Sequence, residues 1–284
     1  MLGAHVSTQG GVHTAPDRAV AIGATALQLF TKTPNQWRDP ALDDDVVRKF
    51  HEAMLRSGMR AVVSHDSYLI NLASPDPVLS ARSVDSFAAE LGRCTRLGIP
   101  FVVSHPGNYM DDRARGLERN AANYAAALRR VPGEVMVLLE TTAGTGTALG
   151  STFEELAALR SLIPRPLRHR IGFCADTCHL YAAGYDLVGQ YDAVWDHWDR
   201  AVGLELLRCL HLNDSKTPFG SRRDRHELIA EGSLGAGPFR RIMRDPRLAH
   251  TIKIIETPKG DDMVTLDRKM LRRLRTYARP AGVR

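Results

Sequence analysis

The chain has 284 residues, of which 38 are lysine or arginine and 32 aspartate or glutamate, for a formal net charge of +6. Hydrophobic residues at 44% and charged residues at 25% match a globular chain and exclude a disordered or fibrous one. No apolar run approaches the ~18 residues of a membrane-spanning helix, and four cysteines (Cys94, Cys174, Cys178, Cys209) with no C-x-x-C pair exclude a disulfide scaffold. The first residues, MLGAHVSTQGG, lack the basic and apolar stretches of a secretory signal, so a reduced, cytoplasmic protein with no membrane partner is expected. The basic balance admits an anionic partner such as DNA. Only six of the 38 basic residues are lysine, however, and an arginine excess also follows from a GC-rich coding sequence, so charge alone does not decide.

Short apolar, β-branched runs recur along the chain, each followed by a helical stretch. In order they are Leu2–Val6, Ala26–Phe30, Arg60–His65, Phe101–His105, Val135–Glu140, Ile171–Asp176, Cys209–Asp214 and Thr251–Glu256. Continuous apolar runs of this length read as strands buried on both faces, as in a parallel sheet. Between them, apolar spacing predicts helices over Asp43–Ser57, Val84–Leu97, Ala114–Val131 and Phe153–Ile163, the last capped by Ser151 or Thr152. The basic segment KMLRRLRTYAR has helical apolar spacing and reads as a helix with a solvated face. Eight strand–helix units without an intervening linker fit one α/β domain over residues 1–284, a (β/α)8 TIM barrel. An open doubly wound sheet is the alternative. It lacks support because no G-x-G-x-x-G or G-x-x-x-x-G-K-[ST] occurs, and the glycine run Gly144–Gly150 reads as a flexible loop.

The chemistry lies where the strands stop. In a (β/α)8 barrel the C-terminal strand ends form the active-site face, and six consecutive strands carry an imidazole or carboxylate there: His65, His105, Glu140, Asp176, His211 and Glu256. His179, just beyond strand six, and Asp224 and His226, in the long loop after strand seven, extend the set. One histidine at a strand end is ordinarily a hydrogen-bonded structural residue, but a converging set of nine would be self-repelling without cations. Mixed imidazole and carboxylate ligation suits zinc, manganese or iron. Spacing leaves two or three ions open. Cys178 competes with its neighbour His179 as a ligand, with His179 preferred. His5 on strand one is either a partner that orients a ligand or a satisfied core histidine.

Around these residues the sequence resembles the endonuclease IV family, the zinc-dependent apurinic/apyrimidinic (AP) endonucleases of base-excision repair. The resemblance is carried by GAHVSTQGG, HDSYLINLAS (His65–Ser74), SHPG (Ser104–Gly107), ETTAGTG (Glu140–Gly146), CADTCHLYAAGYD (Cys174–Asp186), HLNDSKTPFGSRRDRH (His211–His226) and IIETP (Ile254–Pro258), which together span nearly the whole chain. It implies a xylose-isomerase-like barrel with three zinc ions per chain, manganese being admissible at one site. Glu140 would bridge two ions, His65 and His105 completing the first and Asp176, His211 and Glu256 the second. His179, Asp224 and His226 would hold the third. It also implies a monomer, nucleoid-associated through DNA. Such an enzyme flips an abasic nucleotide out of duplex DNA, cleaves the phosphodiester 5′ to it, leaves a 3′-hydroxyl and a 5′-deoxyribose phosphate, and trims blocked 3′ ends. Glu140 and Glu256 are the catalytic carboxylates on this reading, Glu256 positioning or deprotonating the nucleophile. Asn35, Gln36, Tyr68, Leu69, Lys216, Arg222, Arg223 and Arg225 are the expected DNA contacts, with Tyr68 and Leu69 as a wedge. The chain departs from the family at Thr141, where asparagine is usual, and in the loop Lys32–Trp37. A metal-dependent sugar isomerase or epimerase on the same barrel is the competing reading, and it needs fewer ligands. A basic DNA-binding protein without catalysis leaves the nine converging residues unexplained.

Overall fold

The computed structural model describes residues 1–40 and 42–279, so the last residues of the expected 1–284 domain, 280–284, lie outside the described ones, as does residue 41. Eight parallel strands close into a barrel: β1 (Leu2–His5), β2 (Ala26–Leu29), β3 (Ala61–His65), β4 (Phe101–Ser104), β5 (Met136–Glu140), β6 (Ile171–Asp176), β7 (Leu207–His211) and β10 (Ile252–Ile255). A separate antiparallel ribbon, β8 (Asp214–Ser215) with β9 (His226–Glu227), sits between β7 and β10 in the chain. All eight predicted strands are present. The one shifted most is β7, predicted at Cys209–Asp214, which begins two residues earlier and stops at His211. Asp214 instead pairs with Glu227 in the ribbon, and the register Ser215 to His226 folds the intervening loop back over the barrel mouth.

The helices are α1 (Ala15–Ala21), α2 (Asp44–Ser57), α3 (Pro77–Leu97), α4 (Arg113–Arg130), α5 (Phe153–Leu162), α6 (Thr177–Ala183), α7 (Tyr191–Ala201), α8 (Ala236–Ile242) and α9 (Thr265–Ala278). Their starts follow capping chemistry: Asp43 accepts from the Val46 amide, Asp112 from Arg115 and Thr152 from Glu155. Helix α3 is longer than its apolar spacing predicts because Asp76 caps it and Pro77 opens it, while its first two turns face solvent and show no apolar stripe. On α9, Met270, Leu271 and Leu274 are buried under the basic face.

Two packed layers result. Inside the barrel, Ala26, Val63, Val103, Leu138, Cys174, Cys209, Ile252 and Ile254 fill the space between strands. Outside, the strands pack on the helices through large buried side chains such as Phe50, Phe87, Phe153, Trp195, Trp198 and Phe239. The filled interior leaves the C-terminal mouth as the place where polar groups converge. Among the described residues no helix is long and apolar enough to cross a membrane.

Candidate metal centre

Glu140, at the last position of β5 and fully buried, organises the mouth of the barrel. Its Oε2 lies 3.3 Å from His65 Nε2 and 3.0 Å from His105 Nε2. Its Oε1 lies 2.9 Å from His211 Nδ1 and 3.4 Å from His179 Nδ1. The two oxygens of one carboxylate thus face separate sets of imidazoles. His211 Nδ1 is also 3.2 Å from Glu256 Oε2 and 3.9 Å from Asp176 Oδ2. A third set forms around Asp224, whose Oδ2 is 3.1 Å from His179 Nε2 and whose Oδ1 is 3.1 Å from His226 Nε2. All nine predicted ligand residues therefore lie in one contiguous network. Within it, His65, His105 and Glu140 form one donor group, and Glu140, Asp176, His211 and Glu256 form another.

The imidazoles are oriented from behind. His65 Nδ1 donates to the Asp66 carbonyl (2.9 Å), His179 Nδ1 to the Thr141 carbonyl (2.8 Å) and His226 Nδ1 to the Glu256 carbonyl (3.3 Å). His211 Nε2 donates to Gln28 Oε1 (2.8 Å). Placing the proton on the outer nitrogen leaves the inner one with a lone pair aimed into the centre, the arrangement metal-binding histidines adopt. The buried Nε2 atoms of His179 and His226 have no hydrogen-bond partner although Asp224 is near both. Donor atoms about 3.3 Å apart are what ~2.0 Å zinc–ligand bonds at tetrahedral angles require. Orphaned nitrogens, donor spacing and the imidazole–carboxylate chemistry all fit divalent cations.

Opposite charges face one another at close range here. Burial works against the Glu140 carboxylate, yet His211 and His105 hold it well below the usual carboxylate range. Burial likewise opposes the charge on His65, but Glu140 raises its imidazole to about 9, and His179 and His211 are also pushed well up by their carboxylate neighbours. Without metal, protons on imidazoles balance the carboxylates, and loading cations must displace them. Cys178 groups with Asp224 and His226, but burial pushes its thiol up to about 12 and its Sγ donates to the Arg225 carbonyl at 3.6 Å, so it is a neutral thiol.

Several orienting residues escape sequence reasoning. Gln28 Nε2 reaches Glu256 Oε1 (2.6 Å) while its Oε1 holds His211. Asn213 Nδ2 donates to Asp176 Oδ2 (2.6 Å) and its Oδ1 accepts from the Glu256 amide (2.8 Å). The available signal was a fully polar amide inside each apolar run, ALQLF and CLHLND. His5, left open by the sequence, faces the site with Nδ1 3.2 Å from Glu256 Oε1. Thr141 serves through its backbone carbonyl, which holds His179, and through Oγ1, which accepts the Asp176 amide at 2.9 Å. The carbonyl contact does not depend on the side chain, so threonine in place of asparagine leaves it intact.

Two clefts meet over the network and share His105, His179 and Asp224. One, of about 300 Å³, includes Phe30, Tyr68 and Glu256 in its wall, and the other, of about 650 Å³, includes Asn108, Thr145, Arg223 and Arg225. Tyr68 is 63% exposed and packs edge-on against Phe30, so it is not a core residue. Leu69 beside it is half-buried. Asn35 and Gln36 are exposed on the loop after β2, which Ser67 Oγ ties to the Tyr68 segment by donating to the Pro34 carbonyl (2.5 Å). Lys216 and Arg222 do not line either cleft. Lys216 faces Glu227 at 3.8 Å, and the Arg222 carbonyl accepts from Thr145 Oγ1 at 2.6 Å. That bond, with Leu149 N to Gly107 O and Tyr109 N to Thr147 O, anchors the glycine run that the sequence reads as flexible.

The profile of xylose isomerase-like TIM barrels matches residues 16–276. A relative from Chloroflexus aggregans named "probable endonuclease 4" is 46% identical, covering 98% of this chain and 97% of its own. The crystal structure of endonuclease IV from Thermus thermophilus superposes with a TM-score of 0.87 at 38% identity, over 97% of this chain and 98% of that one. A D-tagatose 3-epimerase-like protein superposes with a TM-score of 0.72 at 15% identity, covering 97% of this chain and 98% of its own, a likeness of fold alone. Profile, sequence identity and superposition agree, and the chain belongs to the endonuclease IV family of xylose isomerase-like TIM barrels.

Proposed function

We propose that this chain, acting as one domain over residues 1–284, is a zinc-dependent AP endonuclease that hydrolyses the phosphodiester 5′ to abasic sites in duplex DNA and trims blocked 3′ ends. The observation that carries the reading is the nine-residue donor network lying under two joined clefts, one walled by Arg223 and Arg225 and the other carrying the exposed Tyr68. His65, His105 and Glu140 would hold one zinc, Glu140 with Asp176, His211 and Glu256 a second, and His179, Asp224 and His226 a third, with manganese admissible at one. When bound, the ions supply Lewis acidity: they lower the pKa of water and neutralise charge on phosphate oxygens.

The chain's own residues do the rest. Arg223 and Arg225 hold the anionic backbone over the centre. Tyr68 and Leu69 wedge into the gap left by the flipped nucleotide, which costs least where pairing is already lost. Burial opposes the charge of Glu256, but His211 and the hydrogen bond from His5 keep it ionised, well below the usual carboxylate range. Glu256 therefore accepts a hydrogen bond from the attacking water and fixes its line of approach to phosphorus. Water oxygen bonds to phosphorus, the P–O3′ bond breaks, and the 3′ oxygen leaves with a proton as the hydroxyl. Asn35, Gln36, Lys216 and Arg222 contact the flanking duplex. Three divalent ions held in the donor network would add about six positive charges at one rim and bring the whole chain from +6 to about +12, so attraction for phosphate would not depend on the arginine bias. The enzyme acts as a cytoplasmic monomer that associates with the nucleoid through DNA.

The test is incision of a duplex with one abasic analogue, without added magnesium, with and without a zinc chelator. Chelator-sensitive cleavage 5′ to the lesion is expected, and no incision by zinc-replete protein refutes the reading. Glu256→Gln with full zinc and normal cleavage removes Glu256 from the reaction.

A further inference from the structure

Among the described residues, four without a glycine's freedom occupy the left-handed backbone region: Met110, Arg222, Ala230 and Met263. That region is unfavourable for side chains with a Cβ and is retained only where the surroundings over-determine it. Met110, in the β4–α4 loop at the barrel mouth, has φ 59° and a side chain left 62% exposed. Strain and an exposed large apolar group coincide here, as they do at Met263 (φ 54°, 49% exposed) in the β10–α9 loop, and neither helps the isolated chain; the Met110 loop is set apart by its ties to the segment that follows His65.

Two clamps hold the loop in this shape. The Asn71 side chain pairs with the backbone of Asn108, Oδ1 accepting from its amide (2.9 Å) and Nδ2 donating to its carbonyl (3.0 Å), and Nδ2 is 3.9 Å from Met110 Sδ. From α4, Arg119 donates to the Tyr109 carbonyl (3.0 Å), the Ala73 carbonyl (3.0 Å) and the Asp111 carboxylate (2.5 Å). Gly116 admits the close approach of Tyr109, since a Cβ there would lie 2.2 Å from Tyr109 Cβ. The clamps join the loop to the segment that carries Tyr68 and Leu69, and Asn108 lines the arginine-walled cleft. A contact made outside the chain, on the same rim as the wedge, accounts for what the fold leaves uncompensated.

We infer that Met110 is a second apolar contact with duplex DNA, seated against sugar and base faces beside the lesion. The inference rests on the AP endonuclease reading. An unbranched, polarizable thioether adapts to such a surface, and methionine is among the side chains that wedge against base steps.

Steady-state incision of an abasic duplex by Met110→Gly and Met110→Leu, with thermal midpoint and bound zinc measured on the same preparations, tests it. Glycine adopts this backbone freely, so Met110→Gly is expected to keep its thermal midpoint, zinc content and kcat while KM rises about tenfold, equivalent to about 1.4 kcal/mol. Met110→Leu is expected to stay close to the unaltered chain. An unchanged KM in Met110→Gly overturns the inference and leaves the AP endonuclease reading standing. A raised KM with a lowered thermal midpoint also overturns it, because the residue is then structural. Failure of the unaltered chain to incise overturns both.

Discussion

The loop that presents Asn35 and Gln36 rests on a buried charge cluster, and breaking that cluster has a calculable cost. Arg93 on α3 donates from Nη2 to Glu90 Oε2 (2.6 Å), from Nε to Thr31 Oγ1 (2.8 Å) and from Nη1 to Asp39 Oδ1 (2.8 Å). Lys32 Nζ also reaches Asp39 (3.0 Å), and Glu90 accepts from Ser64 Oγ (2.5 Å) and Thr31 Oγ1 (2.6 Å). Glu90 is 1% exposed and Arg93 5%, so this ion pair lies almost out of water, while the second anion, Asp39, reaches the surface. Arg93→Met leaves one negative charge uncompensated. Removing one partner of a buried pair costs about 3–5 kcal/mol. At roughly 2–4 °C per kcal/mol for a chain of this size class, the thermal midpoint falls by roughly 10 °C. The double variant Glu90→Gln/Arg93→Met removes both charges and is expected to recover at least half the loss, because no ion is stranded. Urea unfolding followed by tryptophan fluorescence reads the stability of both variants, and thermal unfolding reads the midpoint. A single variant within about 1 kcal/mol of the unaltered chain, or a double variant no better than the single, refutes the reasoning.

Three further outcomes are expected. Tyr68→Ala loses a stacking contact worth ~1–3 kcal/mol, weakening abasic-duplex binding about fivefold or more while bound zinc stays full; loss of zinc would place Tyr68 in the packing of the site. Thr141→Val strands the buried Asp176 amide and costs about 1–3 kcal/mol in urea unfolding, whereas Thr141→Ser does not, and equal stabilities for the two reject the hydrogen-bond account. Lys253, buried with Nζ on the Leu248 carbonyl and Thr251 Oγ1, is lowered by desolvation from 10.5 to about 8. Between those pH values the unfolded chain holds a proton that the folded chain has released, so the group's penalty on stability fades as pH rises. Lys253→Met is therefore expected to gain stability relative to the unaltered chain at pH 7, and to lose up to about 3 kcal/mol of that advantage by pH 10.5. A pH-independent difference contradicts it.

The barrel was legible because its strands are buried on both faces and so appear as bare apolar runs. The start of α3 was not, because its first turns face solvent and only Asp76 and Pro77 mark them. The end of β7 was misplaced because CLHLND stays buried beyond His211, and burial alone does not distinguish a barrel strand from the ribbon that follows. The donor residues were legible as types at strand ends. Gln28 and Asn213 were passed over because an amide in an apolar run has no meaning until its partners are known.

Local sequence, then, determined the eight barrel strands, helices α2 to α5 and α9, their order and the identity of the nine donors, since periodicity, caps and residue chemistry act over a few positions. Tertiary structure alone decided that Glu140 faces two sets of imidazoles and that Gln28 grips both His211 and Glu256. It also decided that Met110 is held strained and exposed against Asn71. Those relations join residues tens to hundreds of positions apart, and only closure of the barrel brings them within reach of a hydrogen bond.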